Sequence, residues 1–229
     1  MWTTDPLWYI TTVLPQEALQ TQVRAERSLL SRTIGWLGLS LALTAGGVYL
    51  WGAGVAPNLP WWLYFVVAIG MIFGIQAAAT RNQTLAAGLL GVFSVVEGLF
   101  IAPVIYSYLG TQPDAVGNAL LGTVGIFLVA AAVVYLTSIN LAAWGQWLLG
   151  ALLIGIVVGF ATLLFHFPLS TLAISLFLGA VFVGLTFFDF WRVKAERAGD
   201  NNALLLALSL YLDFINLFLI LLRIFGRRD

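Results

Sequence analysis

Polar positions in this chain are clustered, and long apolar runs separate the clusters. Seven such runs can be drawn, at 34–51, 61–79, 85–106, 118–138, 146–165, 169–189 and 203–225. Each holds about 18–23 residues, which at ~1.5 Å per residue matches a hydrocarbon core of ~30 Å. The connections are short, so consecutive helices are predicted to be antiparallel neighbours, with no linker dividing the chain. The expectation is an all-α fold: a polytopic membrane bundle of seven transmembrane helices at 34–229, preceded by a cytoplasmic N-terminal arm at 1–33. In the arm, Pro15 suits the first turn of a helix through QEALQTQVRAERSLLSR. Leu19, Val23 and Leu30 give that helix a partial apolar face. It reads either as an amphipathic surface segment or as a basic tail that sets topology.

Composition agrees with the pattern. Hydrophobic residues make up 61% of the 229 positions and charged residues 9%, with a mean hydropathy of +0.99. A soluble domain is nearer ~45–50% apolar and ~25% charged, so this is an integral membrane protein. Ten basic and ten acidic residues cancel, which leaves no global attraction for nucleic acid. The absence of Cys excludes disulfides, thiolate catalysis and Cys-ligated metals. No basic n-region followed by a short apolar stretch opens the sequence, so no cleaved signal peptide is read.

Arg and Lys set the predicted orientation. Arg24, Arg27 and Arg32 place the N-terminus inside, as do Arg81 between the second and third runs and Arg192, Lys194 and Arg197 between the sixth and seventh. The outer loops at 52–60, 107–117 and 166–168 contain no Arg or Lys. Seven spans then put Arg223, Arg227 and Arg228 outside, against the bias. The small pairs Gly70 and Gly74, Gly155 and Gly159, and Ala180 and Gly184 read as close helix packing. Pro103 is predicted to kink or end the third helix. Trp61, Trp62, Trp144 and Trp147 read as interfacial anchors, and the lone His166 as an interfacial loop residue.

Three carboxylates fall in or at the edges of these runs: Glu97, Asp189 and Asp213. A charge at the middle of a span costs about 2.5–3.5 kcal/mol on insertion scales, so Asp213 needs a reason to be there. The turn before its helix reads as Gly199-Asp200-Asn201-Asn202, with Gly suited to a helix C-cap and Asp or Asn to the next N-cap. Asp189 lies as far before Asn201 as Asp213 lies after it. If both helices run to the turn, the two carboxylates lie level, about 15–18 Å from the hairpin tip. Two apposed carboxylates in a low dielectric cannot both ionise readily and are expected to share a proton. Arg81 is the better cationic partner by depth, and Arg192 the weaker. Ser209 and Asn216 extend a polar stripe along the Asp213 helix, predicted to face the bundle interior. The pair reads either as a structural tie or as a proton-sensitive switch or cation site. Glu97 reads either as a continuation of a polar path or as a protonated hydrogen-bonding group.

The stretch ALSLYLDFINLFLILLRIFG at 207–226 resembles the C-terminal signature of the Bax inhibitor-1 family, also called the transmembrane BAX inhibitor motif (TMBIM) family. FFDFWRVKAE at 187–196 is similar to its sixth-helix aspartate and basic loop, and EGLFIAPVIYSY at 97–108 to its third helix. The likeness is greatest to bacterial members. It implies seven helices with the last one central, wrapped by the other six. It also implies a pH-sensitive calcium leak, in which Asp189 and Asp213 form a hydrogen-bonded proton sensor contacted by Arg81 from the second helix. Calcium is then the transported ion, passing near Asp189 and Asp213, and the proton is the regulator. No cofactor and no resident metal site are implied, and the expected home is the cytoplasmic (inner) membrane of a bacterium.

Other classes remain open. A non-transporting regulator would bind a membrane protease or a cell-death factor as its protein partner. A proton-coupled cation exchanger would use the same carboxylates. An intramembrane aspartyl protease also places one Asp on each of two adjacent spans, but its second Asp follows a Gly-x-Gly opening. Here Leu210, Tyr211 and Leu212 stand in that place, so no enzymatic activity is expected.

Overall fold

The computed structural model describes residues 16–55, 60–165, 171–196 and 202–226. The start of the arm, His166, the expected turn at 197–201 and Arg227 and Arg228 lie outside the described residues. The described chain is helical: α1 (Gln16–Gly52), α2 (Trp61–Ala79), α3 (Gln83–Thr111), α4 (Pro113–Leu136), α5 (Trp144–Phe165), α6 (Thr171–Ala195) and α7 (Ala203–Phe225). In a bilayer no water satisfies backbone amides, so apolar runs of this length must close their hydrogen bonds internally as helices. Among the described residues six helices are long and apolar enough to cross a membrane, and α5 is apolar over Trp144–Val158. The molecule is a multi-spanning all-α membrane bundle.

Three boundaries differ from the sequence reading. The arm and the first span form one helix of 37 residues, because no Gly or Pro interrupts the chain between Gln16 and Ile34. At ~1.5 Å per residue it is about 55 Å long, and its apolar part is Leu29–Gly52. The expected outer loop at 107–117 shrinks to Gln112: α3 runs to Thr111, and Pro113 starts α4 in its first turn, where a missing N–H costs nothing. Pro103 does not end α3, which continues to Thr111.

α7 organises the packing. Among the described residues it touches α1, α2, α3, α4 and α6, whereas α5 touches α6 alone. In α7, 61% of the apolar stretch is buried, against 12–39% in the other candidate spans. It runs unbroken to Phe225, and its end meets Tyr108 near the end of α3.

α1 and α3 cross closely, backbone against backbone. A Cβ on Gly98 would strike the Thr44 carbonyl, and one on Gly47 would strike the Val95 carbonyl. Gly155 and Gly184, predicted as packing residues, do lie against Leu178 and Leu148 at the α5–α6 contact. Gly70 faces open space, and Gly74 makes only ordinary contact with Leu89. Trp62, Trp144 and Trp147 are exposed, as anchors must be.

Candidate functional site

The α6–α7 hairpin is held in one register by contacts at several heights. Near its tip, Asn202 Nδ2 donates to Glu196 Oε1 at 2.6 Å. Further in, Arg192 Nη1 reaches Ser209 Oγ at 3.4 Å. Deeper still, Phe190 and Phe214 both meet Phe127 of α4 edge-on, with ring centroids 5.7 and 5.2 Å away. Asp189 and Asp213 each adjoin one of those phenylalanines in sequence, which sets them in the same stretch of the packed antiparallel helices. Both are buried, with 6% and 5% of their surface accessible. Asp213 lies about 15 Å along α7 from Ala203, and it is within electrostatic reach of Asp189 and of Arg192.

The nearby cation comes from α6 itself. Arg192 Nη1 donates to Asp189 Oδ1 at 3.0 Å across one helical turn, the spacing at which side chains on one helix face meet. Its guanidinium is partly exposed and lies 6.0 Å from the Phe188 ring centroid. Arg81 is exposed at the α2–α3 turn. Depth alone favoured Arg81; position around the helix favours Arg192. Asp213 Oδ2 is buried with no hydrogen-bond partner among the described residues. An unsatisfied buried polar atom is costly, and a carboxylate oxygen more so.

The predicted stripe on α7 divides. Ser209 is half-buried and faces Arg192. Asn216 is half-buried too, but its Nδ2 turns back to the Leu212 carbonyl at 2.7 Å. Both lie on the less buried side of α7, with Leu205 and Leu212, not on its fully buried face. Glu97 is half-buried on α3 and within electrostatic reach of Tyr211.

Tyr211 belongs to a second polar cluster that the sequence reading missed. It is fully buried, and its hydroxyl lies 2.7 Å from Thr44 Oγ1. Thr44 also reaches the carbonyls of Ser40 at 2.9 Å and Ser94 at 3.1 Å. Carbonyls only accept, so the Thr44 proton goes to them and Tyr211 is the donor to Thr44. The ring packs edge-on against Phe93 at 5.8 Å. The available signal was the phenol itself: a buried Tyr needs a partner for its hydroxyl, and Thr44 and Ser94 are hydroxyls inside otherwise apolar runs.

Chemically, the α6–α7 site offers two carboxylates and one guanidinium, with one carboxylate oxygen unsatisfied. Either a proton or a passing divalent cation would relieve the uncompensated negative charge. Among the described residues, no three His, Asp or Glu side chains converge as a metal cage. The α7 backbone is helical through Leu210, Tyr211 and Leu212, so it presents no opened strand where a peptide could be cleaved.

The family described as inhibitor of apoptosis-promoting Bax1 matches residues 26–229. Three similar proteins come from bacteria. An uncharacterised protein of Deinococcus radiodurans is 32% identical over 223 residues, covering 89% of this chain and 92% of its own. The inner membrane protein YbhL of Escherichia coli is 31% identical over 239 residues, covering 94% and 95%. An uncharacterised protein of Chlamydia muridarum is 31% identical over 217 residues, covering 87% and 91%.

Proposed function

Because the chain belongs to the Bax inhibitor-1 family, we propose that it is a pH-sensitive calcium leak of the bacterial cytoplasmic membrane, gated by protonation of Asp189 and Asp213. The observation that carries this reading is a pair of buried carboxylates within electrostatic reach of each other, one of them with an oxygen unsatisfied among the described residues. With one proton between them and Arg192 on Asp189, the site is electrically balanced. Losing that proton leaves a net negative charge between α6 and α7, which repels the helices and attracts a divalent cation. Arg192 takes the positioning role that the family resemblance gives to Arg81. Ser209 orients Arg192, and Glu97 lies further along the polar route, beyond Tyr211.

In the same reading the chain crosses the membrane seven times around α7. The N-terminus is cytoplasmic, and Arg223 lies on the far side. The extensive burial of α7 and its contacts with five other helices support its central place. The inner-membrane location follows the name of the Escherichia coli relative.

The test is calcium flux into dye-loaded proteoliposomes at several pH values. Wild-type flux should vary with pH, and Asp189→Asn and Asp213→Asn should each flatten the response to within about twofold between roughly pH 6 and 8. Absent wild-type flux, or a pH response that survives both substitutions, would sink the gating claim. Flux that follows an imposed proton gradient, not pH itself, would instead identify an exchanger.

The description of the family as an inhibitor of apoptosis-promoting Bax1 favours a second reading, a regulator that binds a membrane protease or cell-death factor without transporting ions. Absent flux together with recovery of a defined membrane partner would select it. No enzymatic role is proposed.

A further inference from the structure

A cavity of about 280 Å³ opens between α1 and α4, in the part of the bundle nearer the α3–α4 turn. Those two helices do not touch each other among the described residues, so α7 forms the floor between them, with Phe214, Ile215 and Phe218. Ile105 closes one side. The rim is formed by Ala45 and Leu120, both exposed on the lateral surface. The cavity is therefore continuous with the lipid-facing surface of the membrane spans. Among the described residues its only polar lining residue is Thr44, whose hydroxyl is already bonded to Tyr211 and to two carbonyls.

We infer that this cavity is a binding site for a single phospholipid acyl chain, inserted sideways between α1 and α4 against α7. Leu120 lies about 10 Å along α4 from Pro113, so the opening faces the acyl-chain region and lies well below the headgroups. At about 30 Å³ per methylene, close to the share of a water molecule, the volume holds on the order of nine methylenes. That is the distal part of a membrane chain. The lining offers no unpaired polar group to hold water, and apolar cavities of this kind stay dry. In a bilayer, the apolar matter at that depth is lipid. An inserted chain would rest on Phe214, the neighbour of Asp213 in sequence, whose ring also meets Phe127. The site exists whether or not the chain passes calcium.

The experiment uses the full-length protein in vesicles of phosphatidylcholine carrying a diazirine in the distal half of one acyl chain, with labelled residues mapped by mass spectrometry. Phe218 and Ile215 are buried and can be labelled only by an inserted chain. They are expected to be labelled alongside Leu128, which is exposed. Ala45→Phe fills the rim and should lower labelling at Phe218 at least about fivefold, a difference of roughly 1 kcal/mol in occupancy, with Leu128 unchanged. If that variant does not fold, Leu120→Trp closes the opposite rim and should do the same. Labelling of Leu128 without Phe218 or Ile215 in the wild type overturns the proposal. So does undiminished labelling of Phe218 in a folded rim variant, or labelling by a diazirine free fatty acid but not by the phospholipid.

Discussion

Asp213 and Tyr211 are two residues apart on α7, which turns them about 200° from each other around the helix. Each anchors a buried polar cluster, and the clusters differ in kind. On the Tyr211 side, a phenol, two hydroxyls and backbone carbonyls of α1 and α3 satisfy one another through neutral hydrogen bonds, with Glu97 of α3 within electrostatic reach. On the Asp213 side, two carboxylates share the influence of one guanidinium, and Asp213 Oδ2 has no hydrogen-bond partner among the described residues. A satisfied neutral network in low dielectric has one good arrangement and holds helices in place. An incompletely satisfied charged one has different best arrangements for different protonation states. The first suits a fixed scaffold and the second a switch. α7 carries both, so movement on its α6 side can be read against a fixed α1–α3 side.

The largest expected effect comes from breaking the fixed side. Gly98→Val should destabilise the protein by about 3 kcal/mol, because the new Cβ meets the Thr44 carbonyl and the backbones must part. Gly70→Val, where nothing lies within 4 Å, should change stability by less than about 0.5 kcal/mol. Unfolding in mild detergent measures both. Equal losses at the two positions would remove the α1–α3 crossing from its place in the comparison.

The second effect tests the charged side. Arg192→Met strips Asp189 of its cation and should cost about 1–3 kcal/mol, at the low end for a buried pair because Arg192 is partly exposed. Adding Asp189→Asn should recover most of that loss. Arg81→Met should change neither stability nor the pH profile of flux, while Arg192→Met should displace that profile. If Arg81→Met moves the profile and Arg192→Met does not, the contact between Arg192 and Asp189 is incidental to gating.

These arginines show where the sequence was informative and where it was not. Helices followed from the apolar runs because lipid leaves the backbone no other partner. The matching depth of Asp189 and Asp213 was read by counting out of a short turn, which lies outside the described residues, on the premise that an antiparallel hairpin with a fixed rise acts as a ruler. Depth ranked Arg81 above Arg192 but says nothing about position around a helix; the one-turn spacing of Asp189 and Arg192 carried the information that these two side chains meet. The α3–α4 loop failed because Ser107, Gln112 and Pro113 look like loop residues, while Pro113 also starts a helix.

The Tyr211 cluster was the hardest to see. A hydroxyl inside an apolar helix usually bonds the carbonyl four residues back, as Ser94, Thr123 and Thr186 do with Leu90, Ala119 and Phe182. Thr44 does the same with Ser40, yet also reaches α3 and α7. What separates it is the glycine crossing beside it, which brings the α3 backbone within range. That closeness is a property of two distant segments packed together, and neither segment records it alone. The same applies to the division of Ser209 from Asn216, since only the packed neighbours decide which one meets Arg192.

The smallest effect is also the sharpest test. Tyr211→Phe keeps the ring and its contact with Phe93 but removes the hydroxyl that donates to Thr44. Thr44 retains the Ser40 and Ser94 carbonyls as acceptors for its own proton, so no buried donor is stranded. The loss should be near 1 kcal/mol, in line with single hydrogen bonds between membrane helices. If the Tyr211 cluster is scaffold only, this variant should keep the wild-type pH profile of calcium flux, with any change confined to thermal stability. A displaced pH profile at unchanged stability would mean that the two faces of α7 are coupled. The distinction between a fixed side and a switching side would then have to be abandoned.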